Sequence, residues 1–420
     1  MMMMRKSWLL PLCLALAASG AGGESLTATA FRYKGGELSY VDQDQVYAVW
    51  NAADASSVNK PGMKVMFWGR AEGCDLRAEN GPVTDKGNPK FDQALELTGV
   101  AAGKGKRWAP SANSDQCDAA VRQNVGRSFV HVNEDAANGG VGIFTFTGPD
   151  SDGQRSFFRQ YDHSGKQGKG YNADIEGTFV HFRFDWKKST AVRPWAGDAA
   201  AADQRKAAFV TVQSVPAVSM GSGERGKSKS PTQAKQQTMA AFINRACFEA
   251  QHGKRGLCQL QYLFNTALYR AEPTDWNAPK WSKNGDLLID PGQKGMPVIH
   301  GLLGRRGESM TEASSGMPLF TSQGEPTQHE AFRDKEFRVE VSFAQLKNAL
   351  RLIAARTLHK EPAEVADADV ASLIGPSWND PNEWALISLA VAQEVHNPHD
   401  ESTVYIGGSF KELDIEPASM

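Results

Sequence analysis

The chain has 420 residues, of which 41% are hydrophobic and 22% charged, with 46 Lys and Arg against 48 Asp and Glu. A formal net charge of −2 provides no basic surface for nucleic acid, and beyond the N-terminal segment no run is apolar enough for a membrane helix. The composition therefore excludes a nucleic-acid-binding protein and predicts no membrane insertion. The length suits one large domain or two or three ordinary ones.

The first residues have the pattern of a secretory signal peptide. Two basic residues precede an apolar stretch, Ser7–Ala18, that is too short to span a bilayer, and small residues follow it as far as Ala21. We therefore expect a signal peptide at residues 1–21. The mature protein is then exported, to the periplasm or to the extracellular medium.

The number of cysteines agrees with export. Removal of the signal peptide leaves four cysteines, an even number that suits two disulfides in an oxidising compartment: Cys74, Cys117, Cys247 and Cys258. Three connectivities are open, and we favour Cys247–Cys258 and Cys74–Cys117 because each pair is close in sequence. Zinc ligation by these cysteines is disfavoured, since no pair has the C-x-x-C spacing of most structural zinc sites.

The dominant local pattern after the signal peptide is an alternation of apolar and polar residues, which is typical of half-buried strands. The predicted strands are Val46–Trp50, Val65–Trp68, Ser128–Val132, Val141–Thr147, Thr178–Trp186, Ala208–Val215, Cys258–Phe264, Phe337–Phe343, Ala385–Ala392 and Thr403–Ile415. Turn-forming residues separate them, and the chain contains 40 Gly and 20 Pro. We predict a mainly β fold, an antiparallel, jelly-roll-like β-sandwich with a few inserted helices.

Helices are predicted in the second half of the chain. Apolar residues at helical spacing indicate helices at Thr232–His252 and Phe343–His359, and a shorter helix near Pro362–Ile374.

The small, polar stretch at residues 221–237 suits a linker or a long exposed loop. It divides the mature chain into an N-terminal β-sandwich region, residues 22–220, and a C-terminal β/α region, residues 238–420. In the alternative interpretation, the second region completes the same sandwich.

The strand at Thr178–Trp186 is the first candidate for chemistry. One face is apolar, and the other presents His181, Arg183 and Asp185 about 7 Å apart. An arginine that neutralises a uronic acid, with a histidine as base, suits β-elimination of an acidic polysaccharide, so His181 and Arg183 are candidate catalytic residues. The alternative is a solvated face with an Arg–Asp ion pair.

A second candidate is a sugar-binding surface of tryptophans. Residues 275–281 and 377–384 share the pattern Trp-Asn-x-Pro followed by another tryptophan. Indole rings beside amides and carboxylates suit a pyranose ring, so we list as candidate binding residues Trp276, Trp281, Trp378 and Trp384. The alternative is that Asn-x-Pro forms a turn and the tryptophans anchor that turn to the core.

Two short stretches, Val298–His300 and Arg338–Val341, resemble parts of the motifs of the alginate lyase sandwiches. The Tyr-Lys-Ala-Gly strand of that family is missing, and the resemblance covers only a few residues. It adds His300 to the candidate catalytic residues.

A metal site is predicted only at the acidic turn Asp150-Ser151-Asp152-Gly153. Asp150 and Asp152 offer hard oxygen ligands for a structural calcium ion, and the alternative is an ordinary Asp-Gly hairpin. No other cofactor is expected.

The sequence lacks G-x-S-x-G, H-E-x-x-H, Walker A and C-x-x-C-H, which argues against serine esterases, zincins, NTPases and c-type cytochromes. We interpret the chain as a secreted carbohydrate-interacting protein whose partner is an extracellular polysaccharide. As an enzyme, such a protein would be a polysaccharide lyase or a glycoside hydrolase. The alternative is a non-enzymatic envelope or surface-assembly protein that binds protein partners. The sequence leaves the oligomeric state open.

Overall fold

The structure is a computed structural model. It describes residues 31–34, 37–40, 63–68, 76–82, 98, 104–110, 128–133, 140–147, 175–187, 191–220, 233–251, 257–270, 284–290, 296–312, 314–324, 327–328, 330–396 and 404–418.

The described residues form mainly strands. These are β1 (Phe31–Lys34), β2 (Glu37–Tyr40), β3 (Met63–Trp68), β4 (Leu76–Pro82), β5 (Lys104–Pro110), β6 (Phe129–Asn133), β7 (Gly140–Thr147), β8 (Ile175–Arg183), β9 (Lys206–Ser219), β10 (Gln233–Asn244), β11 (Gln259–Arg270), β12 (Asn284–Asp290), β13 (Met296–Leu302), β14 (Ser309–Glu312), β15 (Pro318–Ser322), β16 (Thr327–Gln328), β17 (Phe332–Ser342), β18 (Trp384–His396) and β19 (Val404–Ala418). The described α-helices are α1 (Arg245–Ala250), α2 (Phe343–Leu358) and α3 (Asp367–Ile374). Short 3-10 turns lie at Ala199–Gln204, Pro362–Glu364 and Pro376–Asn379.

The strands form two sheets. Sheet I has the order β4-β5-β6-β7-β19-β9-β17-β15-β14, with β1 beside the second half of β19 and β2 beside β1. Sheet II has the order β3-β8-β18-β10-β11-β13-β12. Most pairs are antiparallel, whereas β11–β13, β11–β16 and β12–β14 are parallel. This arrangement confirms the predicted mainly β, antiparallel sandwich.

One hydrophobic core lies between the two sheets. Alternate residues of each strand point into it, because successive side chains of a strand face opposite ways. The ring of Phe209 on β9 contacts Phe242 on β10 and Phe264 on β11, with ring centroids 6.1 and 5.5 Å apart. Trp195 is fully buried, and its Nε1 donates to the carbonyl oxygen of Val341 at 2.8 Å. The aromatic residues thus join sheet II to sheet I.

Helix α2 packs into this core. Ser342 accepts from the backbone N–H of Gln345, and the Gln345 side chain accepts from the backbone N–H of Ser342, so the helix begins with a capping box. Its apolar residues, among them Leu346, Leu350 and Ile353, are buried. The predictions of helices at Phe343–His359 and near Pro362–Ile374 are confirmed by α2 and α3.

The predicted helix at Thr232–His252 is wrong over most of its length. Residues 233–244 form the central strand β10, and only Arg245–Ala250 are helical. Both neighbours of β10, β11 and β18, pair with it along its length, and both of its faces are buried. A strand with two buried faces has apolar residues on both, so its sequence does not alternate between apolar and polar residues. Its apolar residues then match helical spacing as well as strand spacing.

Both sheets combine strands from before and after residues 221–237. β18 pairs with β8, and β19 pairs with β7 and β9, as in the alternative of a single sandwich. Strand β10 takes in Gln233–Gln237, the last residues of the predicted linker. The predicted signal peptide and the predicted strand Val46–Trp50 lie outside the described residues.

The predicted disulfide Cys247–Cys258 is confirmed. It joins helix α1 to the residue that precedes β11, and both cysteines are buried. Cys74 and Cys117 lie outside the described residues. Among the helices that the structure describes, none is both long and apolar enough to cross a membrane.

A chain of buried amides crosses the core from sheet to sheet. Gln393 on β18 donates to Gln236 Oε1 on β10 at 2.9 Å, and Gln236 in turn donates to Gln213 Oε1 on β9 at 2.9 Å. Thr145 on β7 donates to Gln393 Oε1 at 3.3 Å. All four side chains are fully buried. Because buried amides need partners, these hydrogen bonds fix which residues of each strand face inward.

Replacing Gly408 with alanine tests this network. A methyl group there would overlap Gln236 Oε1 and Gln393 Nε2 and would lie 2.8 Å from the Ser214 carbonyl oxygen. We expect the free energy of unfolding to fall by roughly 2–4 kcal/mol, since overpacking and broken buried hydrogen bonds each cost about 1–3 kcal/mol. Urea denaturation measures the change.

The matched control is Gly324→Ala, where the nearest atom would be the Glu336 carbonyl oxygen at 3.6 Å. We expect this variant to stay within about 0.5 kcal/mol of the unmodified protein. A Gly408→Ala variant as stable as the control would contradict the tight packing described here.

Candidate functional site on the outer face of sheet II

The outer face of sheet II, which is the face turned away from sheet I, contains several of the residues singled out from the sequence. The strand pairings align a row of five residues across this face: His181, Ala390, Met239, Leu263 and His300. The neighbours of His181 and His300 in sequence, such as Val180 and Ile299, belong to the core, so both histidines point outward. Four strand spacings separate the two histidines, which is about 19 Å.

A polar group that we call the acceptor patch occupies one part of this face. It consists of Lys235, Gln237, Asn265, His300 and Glu394. Lys235 forms an ion pair with Glu394, and Gln237 Nε2 donates to Glu394 Oε2 at 3.1 Å. Gln237 and Asn265 are directly opposite each other on β10 and β11. Asn265 Nδ2 lies 2.6 Å from His300 Nε2, so this ring nitrogen is the acceptor and His300 carries its proton on Nδ1.

Two amide oxygens of the acceptor patch lack a donor among the described residues. They are Gln237 Oε1 and Asn265 Oδ1, and the two side chains are 0% and 1% exposed. A buried acceptor without a partner costs about 1–3 kcal/mol. Both oxygen atoms are shielded from solvent, so a donor such as a hydroxyl group of a ligand reaches them only when neighbouring atoms move aside.

The imidazole of His300 is held neutral. Burial lowers its pKa, the positive charge of Lys235 lowers it further, and the resulting value is about 3. At neutral pH the ring therefore accepts a hydrogen bond on Nε2 but is a weak proton acceptor for catalysis, since an effective general base has a pKa near the working pH.

The other end of the row lies on β8. His181 Nδ1 is 3.2 Å from Ser388 Oγ, and the His181 ring stacks on Phe179 with centroids 6.0 Å apart. Arg183 is half-buried and pairs in register with Ser388. His181 and Arg183 are thus neighbours, as predicted, but His300 lies at the other end of the row, on β13. Between the two ends lies an apolar floor formed by Phe179, Met239, Ala390 and Ala392.

An aromatic and basic group, the arginine end, lies where β10 ends. Trp186 is half-buried and packs edge to face on Phe248 of α1, with centroids 5.3 Å apart. Both rings pack against Ile243 and other apolar residues of the outer face. Two arginines follow members of this cluster in sequence: Arg193 comes two residues after Ala191, and Arg245, the first residue of α1, comes two residues after Ile243. The disulfide at Cys247 fixes α1 in this position.

The tryptophans predicted from the repeated segment have different locations. Trp378 and Trp384 are buried in the core, and Trp384 Nε1 donates to the Trp378 carbonyl oxygen at 2.9 Å. This position favours the alternative interpretation, in which they anchor a turn to the core. Trp276 and Trp281 lie outside the described residues.

Asp150 and Asp152, the predicted calcium ligands, also lie outside the described residues. Within the part of the chain that the structure describes, no group of three or more His, Cys, Asp or Glu side chains could hold a metal ion.

Four residues of the acceptor patch were not found from the sequence: Lys235, Gln237, Asn265 and Glu394. They come from three strands of sheet II, and only the pairing brings them together. The one local signal was the polar run Lys235-Gln236-Gln237 inside a strand with two buried faces.

The low pKa of His300 predicts a specific acid sensitivity. The unfolded chain takes up this proton near pH 6.5, whereas the folded chain takes it up only near pH 3. The unfolded state binds more protons between these values, so the stability contributed by His300 is lost as the pH falls through this window. Urea denaturation at about pH 7 and about pH 4.5 should show that His300→Gln loses less stability on acidification than the unmodified protein. An NMR titration that gives His300 an ordinary pKa in the folded protein would contradict the prediction.

Comparisons with known proteins identify no family. No family model matches the sequence, and no curated protein matches it. Thirteen solved chains resemble the structure. One is the native family 12 xyloglucanase from Bacillus licheniformis, at 9% identity and a TM-score of 0.27, over 75% of this chain and 87% of that chain. Another comes from a comparison of family 12 glycoside hydrolases, at 8% identity and a TM-score of 0.27, over 82% of this chain and all of that chain. Similarities of this size provide no argument about activity.

Proposed function

We propose that this protein binds an extracellular polysaccharide along the outer face of sheet II. The observation that supports the proposal most directly is the pair of buried, unsatisfied acceptors, Gln237 Oε1 and Asn265 Oδ1, on adjacent strands. Sugar hydroxyl groups are donors of the required kind, and two neighbouring hydroxyls of one pyranose ring match two neighbouring acceptors.

The apolar floor beside the acceptor patch supports the same ligand. Phe179 and Met239 are buried next to small alanines, and Leu263 is half-buried. A pyranose ring has apolar C–H faces as well as hydroxyl edges, so it needs both an apolar floor and polar partners. Trp186 adds a half-buried indole at the arginine end.

Export to a compartment that contains polysaccharides agrees with this proposal. The N-terminal sequence has the pattern of a signal peptide, and the Cys247–Cys258 disulfide suits an oxidising environment. Both features are independent of the proposed binding surface.

We propose binding rather than cleavage as the main activity. Glycosidases use two carboxyl groups, whereas among the described side chains of the acceptor patch Glu394 is the one carboxylate. Its Oε2 atom is already engaged by Lys235 and Gln237. The low pKa of His300 also argues against its role as the base of a lyase at neutral pH.

Substitution of the two acceptors tests the binding proposal. Gln237→Leu and Asn265→Leu each remove an amide oxygen from the outer face. Against a panel of neutral and acidic polysaccharides, we expect each variant to bind about 3–10-fold more weakly, which corresponds to the loss of roughly one hydrogen bond. Isothermal titration calorimetry measures the affinity, and circular dichroism confirms that each variant is folded.

The control is Asn348→Leu on helix α2, whose side chain donates to the Pro318 carbonyl oxygen and is remote from the outer face in the fold. Folded acceptor variants with unchanged affinity for every glycan would contradict the proposal.

Mass spectrometry of soluble products separates binding from catalysis. Unsaturated oligosaccharides would identify a lyase, and saturated ones a hydrolase. Either product would contradict the proposal that binding alone is the main activity.

A further inference from the structure

Strand β18 contains a β-bulge on the outer face of sheet II. Its register against β10 shifts at this point. Leu386 and Leu389 both belong to the core, so two residues stand between them where regular alternation allows one. The first, Ile387, packs in an outer apolar cluster, and the second is Ser388. Bulges re-aim side chains and are frequent beside active sites.

The bulge places a hydroxyl beside an imidazole. Ser388 Oγ lies 3.2 Å from Nδ1 of His181, which is on the neighbouring strand β8 and is half-buried. When the ring carries its proton on Nε2, Nδ1 accepts the hydrogen bond of the hydroxyl. A serine within hydrogen-bond distance of a base is the arrangement that activates the hydroxyl as a nucleophile. The pairing of β8 with β18 thus gives the predicted base, His181, a nucleophile from another strand.

This Ser388–His181 pair differs from the serine esterases that G-x-S-x-G marks. Their serine stands on a sharp turn between a strand and a helix, whereas Ser388 stands within β18. The absence of the motif therefore excludes a serine on such a turn but not one on a strand. Arg183 is the cross-strand partner of Ser388, and a guanidinium in this part of the face favours the negative charge that develops on a carbonyl oxygen under attack.

We propose that Ser388 and His181 form an acyl-transfer site that hydrolyses esters. Ser388 Oγ bonds to the carbonyl carbon of the ester while its proton moves to His181 Nδ1. The bond from that carbon to the alcohol oxygen breaks, and this oxygen keeps the electron pair and takes the proton from Nδ1. Water then bonds to the carbonyl carbon of the acyl-serine. One proton of the water passes through Nδ1 to Oγ as the bond from Oγ to carbon breaks, and the carboxylic acid leaves.

The reaction goes beyond the proposed binding function. It removes an acyl group from an alcohol and leaves the polymer itself intact. The site lies at the β8 end of the row of outward residues, and His300 of the acceptor patch lies at the other end. A polysaccharide bound along the face would carry acylated hydroxyl groups past the pair, whereas the pair itself needs only an ester.

The experiment uses two probes that contain no sugar, on the oxidised, full-length chain. A fluorophosphonate labels activated serines covalently, and mass spectrometry of peptides identifies the labelled residue and its labelling rate. The second probe is p-nitrophenyl acetate, whose hydrolysis is followed by absorbance. The test variants are Ser388→Ala and His181→Asn. Asparagine at position 181 keeps a hydrogen-bond acceptor for Ser388 but cannot take its proton.

The controls are a serine and a histidine remote from the pair. Ser372→Ala removes an exposed hydroxyl on α3 that donates to the Asp369 carbonyl oxygen at 2.7 Å. His359→Asn replaces an exposed histidine at the end of α2, where the left-handed backbone suits asparagine. Urea denaturation and circular dichroism show whether each variant is folded.

We expect the fluorophosphonate to label Ser388 in the unmodified protein and in both controls. His181→Asn should slow this labelling and the hydrolysis of p-nitrophenyl acetate by about 100-fold or more, which is the usual contribution of a general base. Ser388→Ala should abolish the labelled peptide and lower the hydrolysis to a similar extent. A merely structural hydrogen bond would change the stability of His181→Asn without changing the labelling rate.

Three outcomes would overturn the inference. They are an unlabelled Ser388 in the folded, unmodified protein, a labelling rate of Ser388 no higher than that of Ser372, and an unchanged rate in folded His181→Asn. Because neither probe contains a sugar, failure of this inference leaves the polysaccharide-binding proposal standing. A protein that binds none of the polysaccharides in the panel would refute the proposed function and leave the acyl-transfer site unaffected.

Discussion

The buried glutamines between the two sheets constrain the rest of the structure. Gln213, Gln236 and Gln393 can satisfy one another only when their strands stand in one register, because each amide is fully buried. Buried threonines on the same and neighbouring strands supply their other hydrogen bonds and depend on the same register. An apolar core tolerates a shift of its contacts, whereas a displaced amide leaves unpaired polar atoms in the core. The glycine at position 408 gives these amides the space they occupy.

This constraint also determines the outer face. Side chains alternate between the two faces of a strand. Because Gln236 points into the core, its neighbours Lys235 and Gln237 on β10 point outward. Because Gln393 points into the core, Glu394 on β18 points outward. A slip of one residue would exchange the two sets and destroy the acceptor patch and the core network together. The network and the proposed binding surface therefore lie on opposite faces of the same strands. The outer residues keep their arrangement only while the buried network holds the strand register.

The sequence predicted the elements that have a local cause. Three elements follow from patterns within short segments: the strand over Thr178–Trp186 from alternation, helix α2 from helical spacing, and the Cys247–Cys258 disulfide from closeness in sequence. Strand β10 was predicted as a helix because its two buried faces hide the alternation, and only its pairing with β11 and β18 decides the outcome. Asn265 and Glu394 could not be identified for the same reason, since their proximity to Gln237 is a product of strand pairing.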